Sequence, residues 1–463
     1  MVVLFSFSFA LCFSDLKAAG DQQRPAKGWS GGVARVIITP DQPMWMAGFA
    51  ARDRVSEGKL HDLWAKALAL EDADGQKAVL VTTDLLGMPK ELSDRIRDRL
   101  QASMNLPRAQ IILNSSHTHS GPVLRNSLVD IYGLDEDQQK KIAQYSDRLV
   151  NQIVSLVSSA LKSMVPVKVY TGNGVTRFQV NRRNNNATTL LQQTEVKGPG
   201  DSAVPVIKVV NDAGDLMALA FGYACHNTTL SGYEWSGDYA GFAQLELEKV
   251  YEGTTAMFFA GAGADQNPLP RNTVALAQQY GKTLAAAVES VVSDEMRMLP
   301  AKLTTVYAEV ALPISAPPSK EELSNMLEKT TGYQKRWVTR MLKQIERGES
   351  FITSYPYPVQ VWKLGDQTMI SLGGELVVGY ANQLKQIFGQ DIFVLGYSND
   401  VMAYIPTTAI LREGGYEGAT SQMVYGMPGT WTPNIQTIII EKVVQLAEQA
   451  GVRKSEKKIF EIN

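Results

Sequence analysis

Ile111-Ile112-Leu113-Asn114-Ser115-Ser116-His117-Thr118-His119-Ser120-Gly121-Pro122 is the stretch on which the reading of this chain turns. Its first three residues form a short apolar run that predicts a buried strand, and Ser120-Gly121-Pro122 ends the regular structure. Side chains two apart in a strand share a face, so both imidazoles are expected to leave the strand's end together. Imidazole is a leading zinc ligand, and two on one face make half of a metal site. The chain has only four histidines, His61, His117, His119 and His226, so two of them side by side are unlikely to be idle. A lone histidine is more often a hydrogen-bonded structural residue, so the pair needs partners from elsewhere.

Two segments offer them. Cys225-His226-Asn227-Thr228-Thr229 follows the apolar run 216–223 and repeats the logic of a histidine delivered by a buried strand's end. Leu372-Gly373-Gly374-Glu375 places a carboxylate after a short strand and two glycines, at the expected start of a helix. There the bland role is a glutamate favoured by the helix dipole. Two His and one Glu with an open position is also a set used by hydrolytic zinc sites. The Gly/Ala-rich turn 259–268 lacks the Lys and Ser/Thr of a phosphate loop and the third glycine of a dinucleotide fingerprint. Close packing of a loop at the floor of the site is expected there instead.

Composition bounds the rest. The 463 residues are 44% hydrophobic and 20% charged, which suits an ordinary soluble globular protein with an ample core. A net charge of −2 gives no case for nucleic acid. The basic helix around Lys335, Arg336, Arg340, Lys343 and Arg347 is diluted by acidic neighbours and reads as a solvated face. Residues 2–13 form an apolar run followed by Ala18-Ala19-Gly20, so residues 1–20 are expected to be a secretory signal peptide and the protein secreted or periplasmic. Cys12 would leave with it, and Cys225 alone permits no intramolecular disulfide. No later run reaches the roughly 18 apolar residues of a membrane helix.

Strands are predicted at 33–38, 78–83, 110–113, 167–170, 204–210, 216–223, 256–259, 303–312, 359–364, 369–372 and 392–395. Helices are predicted at 90–104, 138–164, 241–251, 273–292, 376–388 and 435–449, with another from the Ser319-Lys320-Glu321-Glu322 capping box. The intermixing points to an α/β fold of mixed sheets flanked by helices, with residues 21–463 as a single catalytic domain.

Taken in order, the segments resemble the catalytic domain of the neutral (non-lysosomal) ceramidase family. The opening carries the likeness through Gly32-Val33-Ala34-Arg35, Ile38-Thr39-Pro40, Met46-Ala47-Gly48-Phe49 and Val81-Thr82-Thr83-Asp84. The His117-Thr118-His119-Ser120-Gly121-Pro122 segment, His226, Gly373-Gly374-Glu375, Ala403-Tyr404-Ile405-Pro406-Thr407-Thr408 and Tyr416-Glu417-Gly418-Ala419-Thr420-Ser421 complete it. The resemblance implies a zinc-dependent hydrolase of an amide bond in an N-acyl sphingosine or related lipid or small molecule. It places zinc on His117, His226, Glu375 and Tyr404, with His119 and Arg182 catalytic and Arg183 the fallback for Arg182. Two departures bear on substrate. The family's Gly-Asp-Val-Ser-Pro-Asn segment is matched by 263–268, which has no serine, and the family's C-terminal immunoglobulin-like domain is not expected in a chain ending at Asn463.

Two rival readings follow from the same residues. Barrel-type amidohydrolases also carry His-x-His at a strand end, but need more histidines than this chain has. A non-enzymatic lipid- or carbohydrate-binding protein would use the metal structurally, in a closed coordination sphere.

Overall fold

The computed structural model describes residues 28–186 and 188–455. The expected signal peptide and Cys12 lie outside the described residues. The larger sheet contains β1 (Trp29–Ile37), β2 (Trp64–Glu71), β3 (Lys77–Thr83), β4 (Ile111–Ser115), β5 (Val165–Val175), β6 (Ala203–Asn211), β7 (Leu216–Tyr223) and β8 (Thr255–Ala260). Their order is β8-β7-β6-β5-β1-β2-β3-β4, with Arg297–Met298 as a short ninth strand on β5. A smaller sheet runs β9 (Leu303–Pro313), β10 (Ser354–Leu364), β11 (Gln367–Leu372) and β12 (Phe393–Leu395) in that order. Both sheets are mixed: β3 and β4, β7 and β8, and β11 and β12 pair in parallel, and the remaining neighbours in antiparallel fashion. Eight parallel strands closing a barrel are not formed, which removes the barrel-type amidohydrolase reading.

The strand sequences dictate the layering. In β3, Val79 and Val81 point into one core and Ala78 and Leu80 into another; in β8, Ala256 and Phe258 alternate in the same way with Met257 and Phe259. Strands apolar on both faces must be covered on both. One face of the large sheet packs on α1 (Lys90–Met104) and α2 (Glu136–Lys162) at β1–β4, and on α3 (Asp238–Val250) and α4 (Val274–Ser293) at β6–β8. Its other face meets the small sheet through Leu80, Ile112, Val169, Met257 and Phe259 against Trp362, Met369 and Phe393. Helices Val378–Phe388 and Ile435–Gln449 cover the far side of the small sheet. The order is therefore helix, sheet, sheet, helix. Each large apolar side chain so enclosed contributes about 1.5–3 kcal/mol.

Most predicted elements fall within a few residues of the observed ones, and the capping box at Ser319 forms with Glu322. One central strand went unforeseen. Trp64–Glu71 has the sequence Trp-Ala-Lys-Ala-Leu-Ala-Leu-Glu, rich in residues that favour helix over strand. Burial between β1 and β3 overrides that preference. Its Lys66 is buried and bonds Glu248 Oε1 and Ala256 O, both at 2.7 Å, so the charge is paired where it enters the core.

The large sheet curls until its edges β4 and β8 meet, and Asn114 joins them. Its Oδ1 accepts from Ala260 N at 2.8 Å, while Nδ2 donates to Gly396 O at 2.8 Å and Ser398 Oγ at 3.0 Å. Three strand ends, those of β4, β8 and β12, are thereby held by one carboxamide. Among the described residues no helix is long and apolar enough to cross a membrane.

Asn114→Leu keeps the volume and leaves Ala260 N buried without its partner, while Gly396 O keeps only its bond from Ser398 Oγ. The expected loss is about 2–4 kcal/mol of unfolding free energy in urea; a loss within about 0.5 kcal/mol would show that the three strand ends do not depend on this side chain.

Candidate metal centre

The predicted site residues arrive from four separate strand ends and meet. Strand β4 stops at Ser115, and His117 sits two residues beyond it with φ 62°, in the left-handed region. Strand alternation is therefore not what aligns the two imidazoles. The His117-Thr118-His119 segment runs beside the one after β7, with Thr118 bridged to Asn227 and His119 N bonded to Asn227 O at 3.2 Å. His226 follows β7, and Asn227 Nδ2 donates to Ser116 O, tying the two loops together. Glu375 does not begin a helix as expected. It lies in a two-residue strand, Glu375–Leu376, paired in parallel with Tyr404–Ile405, and the helix starts only at Val378. That pairing brings Glu375 and Tyr404 to the same place.

The convergence is tight. His117 Nε2 lies 3.2 Å from His226 Nε2, from His119 Nε2 and from Glu375 Oε2, and His226 Nε2 lies 3.2 Å from the same Glu375 oxygen. Tyr404 Oη is 3.4 Å from His226 Nε2. His117 Nδ1 faces Leu86 O at 2.6 Å and His226 Nδ1 faces Gly263 O at 2.9 Å. A carbonyl only accepts, so both Nδ1 atoms carry the proton and both Nε2 atoms present lone pairs. Two nitrogen lone pairs and a carboxylate oxygen thus point at one another, and Glu375 Oε2 is buried with no hydrogen bond. Ligands about 2.0–2.2 Å from a tetrahedrally coordinated zinc lie about 3.3–3.5 Å apart, close to these separations. The donor set fits a divalent metal ion, and the backbone carbonyls behind the two imidazoles are the usual outer support for such ligands. His117, His119 and His226 form a buried cluster able to hold one.

Burial acts to raise the Glu375 carboxyl, and only protonated His117 and His226 imidazoles, donating from Nε2, outweigh it and hold the group well below the usual carboxylate range. Burial pushes His226 down to about 4, so it is neutral at physiological pH. His119 is lowered by burial and by the two other imidazoles. Unlike them it has no partner on Nδ1, and its ring packs on Phe49 with centroids 4.7 Å apart. Gly48 makes room for it: with φ 105°, a Cβ there would stand 2.4 Å from the His119 ring. The predicted floor loop behaves as expected, since a Cβ on Gly263 would meet Cys225 N at 2.5 Å.

Arg182 Nη2 donates to Tyr404 Oη at 3.1 Å and Arg182 Nε to Glu417 Oε1 at 2.7 Å. Arg183 turns away to Glu413 and the other Glu417 oxygen. Of the two arginines, Arg182 is the one that reaches the cluster. Burial of Tyr404 raises its hydroxyl well above the usual range against the pull of Arg182. Two supports were not foreseen. Tyr425 Oη donates to Glu375 Oε1 and orients the carboxylate. Glu417 sits in a π-helical turn, Tyr416–Thr420, that follows two left-handed glycines, Gly414 and Gly415. Such turns are rare and concentrate at functional sites; the Gly-Gly-Tyr-Glu-Gly sequence was the one available signal.

The arrangement is that of an αββα protein with a buried donor cluster, able to hold a metal ion, carried on strand ends. Residues 32–294, more than half of the chain, match the model of the N-terminal part of neutral/alkaline non-lysosomal ceramidases. The chain belongs to that family. It is 26% identical over 264 residues to neutral ceramidase B of Dictyostelium discoideum, covering 54% of this chain and 35% of that protein. It is 24% identical over 232 residues to the neutral ceramidase of Pseudomonas aeruginosa, covering 47% and 33%. The matched stretch spans about a third of the length of these relatives. Among solved structures, the Pseudomonas aeruginosa neutral ceramidase superposes with a TM-score of 0.69 at 19% identity, over 94% of this chain and 76% of that one. A ceramidase complexed with C2 superposes at 0.71 and 18% identity, over 93% and 77%.

Tyr425→Phe removes only the hydroxyl that holds Glu375. Zinc affinity, read by chelator competition, should fall about 10- to 100-fold; unchanged affinity would show that the carboxylate is positioned without it.

Proposed function

We propose that the protein is an exported zinc-dependent amide hydrolase acting on an N-acyl sphingosine or a related N-acyl lipid. The observation that carries the reading is the convergence of His117 Nε2, His226 Nε2 and Glu375 Oε2, a set of acceptors in which the carboxylate oxygen has no hydrogen-bond donor and which a cation would satisfy. Family membership supports the class of bond.

In this reading His117, His226 and Glu375 hold the ion with Tyr404 beside them. The chemistry zinc supplies in such a set is polarisation of a carbonyl and activation of water. His119 is assigned the proton. Its Nδ1 is free and its tautomer is not locked by a carbonyl, whereas His117 and His226 are both locked. It can take a proton from the attacking water and return it to the departing amine nitrogen. Arg182, fixed by Glu417 and bonded to Tyr404 Oη, puts a permanent positive charge where the amide oxygen gains negative charge.

A metal-stabilised binding protein without activity is the alternative, and the unlocked His119 argues against it. The test is metal content of the purified protein, with cleavage of a fluorescent N-acyl sphingosine on the same sample, with and without chelator. One zinc per chain and chelator-sensitive cleavage are expected. His117→Ala, His226→Ala and Glu375→Ala should each lose both metal and activity. His119→Ala should keep zinc and lose activity by about 100-fold or more. Stoichiometric zinc in Glu375→Ala would remove that residue from the ligand set, and full activity in the presence of chelator would sink the zinc mechanism.

A further inference from the structure

Arg182 also lines a second space, a cleft of about 540 Å³ whose walls include Arg183, Arg271, Asn267 and Gln193. Leu269 is its one apolar residue among those described. Sites for small ligands are mostly apolar with a few polar groups, and this cleft inverts that proportion. It is no place for an acyl chain.

Its polar groups are also short of partners. Asn267 is buried, and its Oδ1 and Gln193 Oε1, both acceptors, have no hydrogen-bond partner among the described residues. Buried acceptors in that state are uncommon and need a donor from outside the chain, a water or hydroxyl, so the case for an anion rests on the arginines. The charges do not balance either. Arg182 and Arg183 are answered by Glu417 and Glu413, while Arg271 has no hydrogen bond or ion pair among the described residues. Burial and the like charge of Arg182 push its guanidinium below the ordinary arginine value, so an added positive charge is being held beside an existing one. The cleft adjoins the metal centre through the backbone as well: Asn267 follows Gln266, whose carbonyl accepts from His226 N at 2.9 Å.

We propose that this cleft seats an anionic oxygen group, a carboxylate or phosphate, carried by the substrate whose amide bond lies at the histidine–glutamate cluster. A guanidinium takes such a group through two parallel hydrogen bonds, and the Asn267 and Gln193 carboxamides can meet it only with their NH2 ends, their oxygens being acceptors that need a water or hydroxyl donor. A neutral hydroxylated head would leave the Arg271 guanidinium with no directly bonded anion, Asp238 acting on it through space only. The substrate class narrows accordingly, from any N-acyl lipid to N-acyl amines bearing an acid. This rests on the amide-hydrolase reading above, and the test separates the two.

N-dodecanoylglycine and N-dodecanoylethanolamine differ chiefly in a carboxylate against a hydroxymethyl group. Their binding is measured by calorimetry to Glu375→Gln protein, so that turnover does not deplete the probe, with and without Arg271→Gln. The glycine conjugate should bind about tenfold or more tightly than the ethanolamide, and Arg271→Gln should erase that preference while leaving ethanolamide binding unchanged. Displacement of the glycine conjugate by inorganic phosphate would further support one shared oxyanion site. Equal binding of the two conjugates, or a preference that survives Arg271→Gln, overturns the proposal. So does phosphate binding at Arg271 with no preference between the conjugates, since the anion would then be free rather than substrate-borne. Hydrolysis by the wild type is scored separately: an Arg271-dependent preference without cleavage of any conjugate or ceramide keeps the cleft and discards the hydrolase.

Discussion

Three acceptors held 3.2 Å apart in a dry interior repel one another, and the rest of the site is organised to keep them there. Each imidazole is anchored from behind by a backbone carbonyl, and the carboxylate by Tyr425. Those anchors are positioned in turn by strand ends that Asn114 ties together. Backbone strain gathers at the same place. His117, Tyr397 and Asn399 all have positive φ, and the Tyr397 ring packs on that of His117 with centroids 4.4 Å apart. Non-glycine residues persist in such conformations only where the surroundings over-determine them. The fold therefore holds an electrostatically unfavourable cluster in a fixed geometry, which is the condition under which a metal ion gains most from binding.

The convergence of the cluster residues was legible because each follows an apolar run that could only be a buried strand. His117, His226 and Glu375 share that signature, and it survives even where the local geometry departs from expectation, as at His117 and Glu375. Strand Trp64–Glu71 was not legible, since its alanines, lysine and glutamate favour helix and only its place between two strands decides the matter. Tyr404 carried no signal of its own; it is brought in by a two-residue pairing with Glu375 that no periodicity announces. The same holds for Tyr425 and Glu417, whose hydrogen bonds to Glu375 and from Arg182 cross about 50 and 235 positions of sequence. Long-range polar contacts of this kind leave no local pattern to read.

The segment 263–268, where the family pattern would place a serine, shows how a wall can be kept while chemistry changes. Gly263 O anchors His226, Asp265 Oδ1 accepts from Val378 N at the start of the helix behind Glu375, and Asp265 O accepts from Arg182 N. These contacts use backbone atoms and one carboxylate; Gln266 is held separately by its bonds to Ala224 O and from Asp201 N, and few demands fall on the side chain at 267. Asn267 is free to face the neighbouring cleft instead. A donor cluster fixed by backbone carbonyls and a cleft wall carried by side chains are then separable parts of one loop. Substitutions in that wall can reshape the cleft without disturbing the histidine–glutamate cluster.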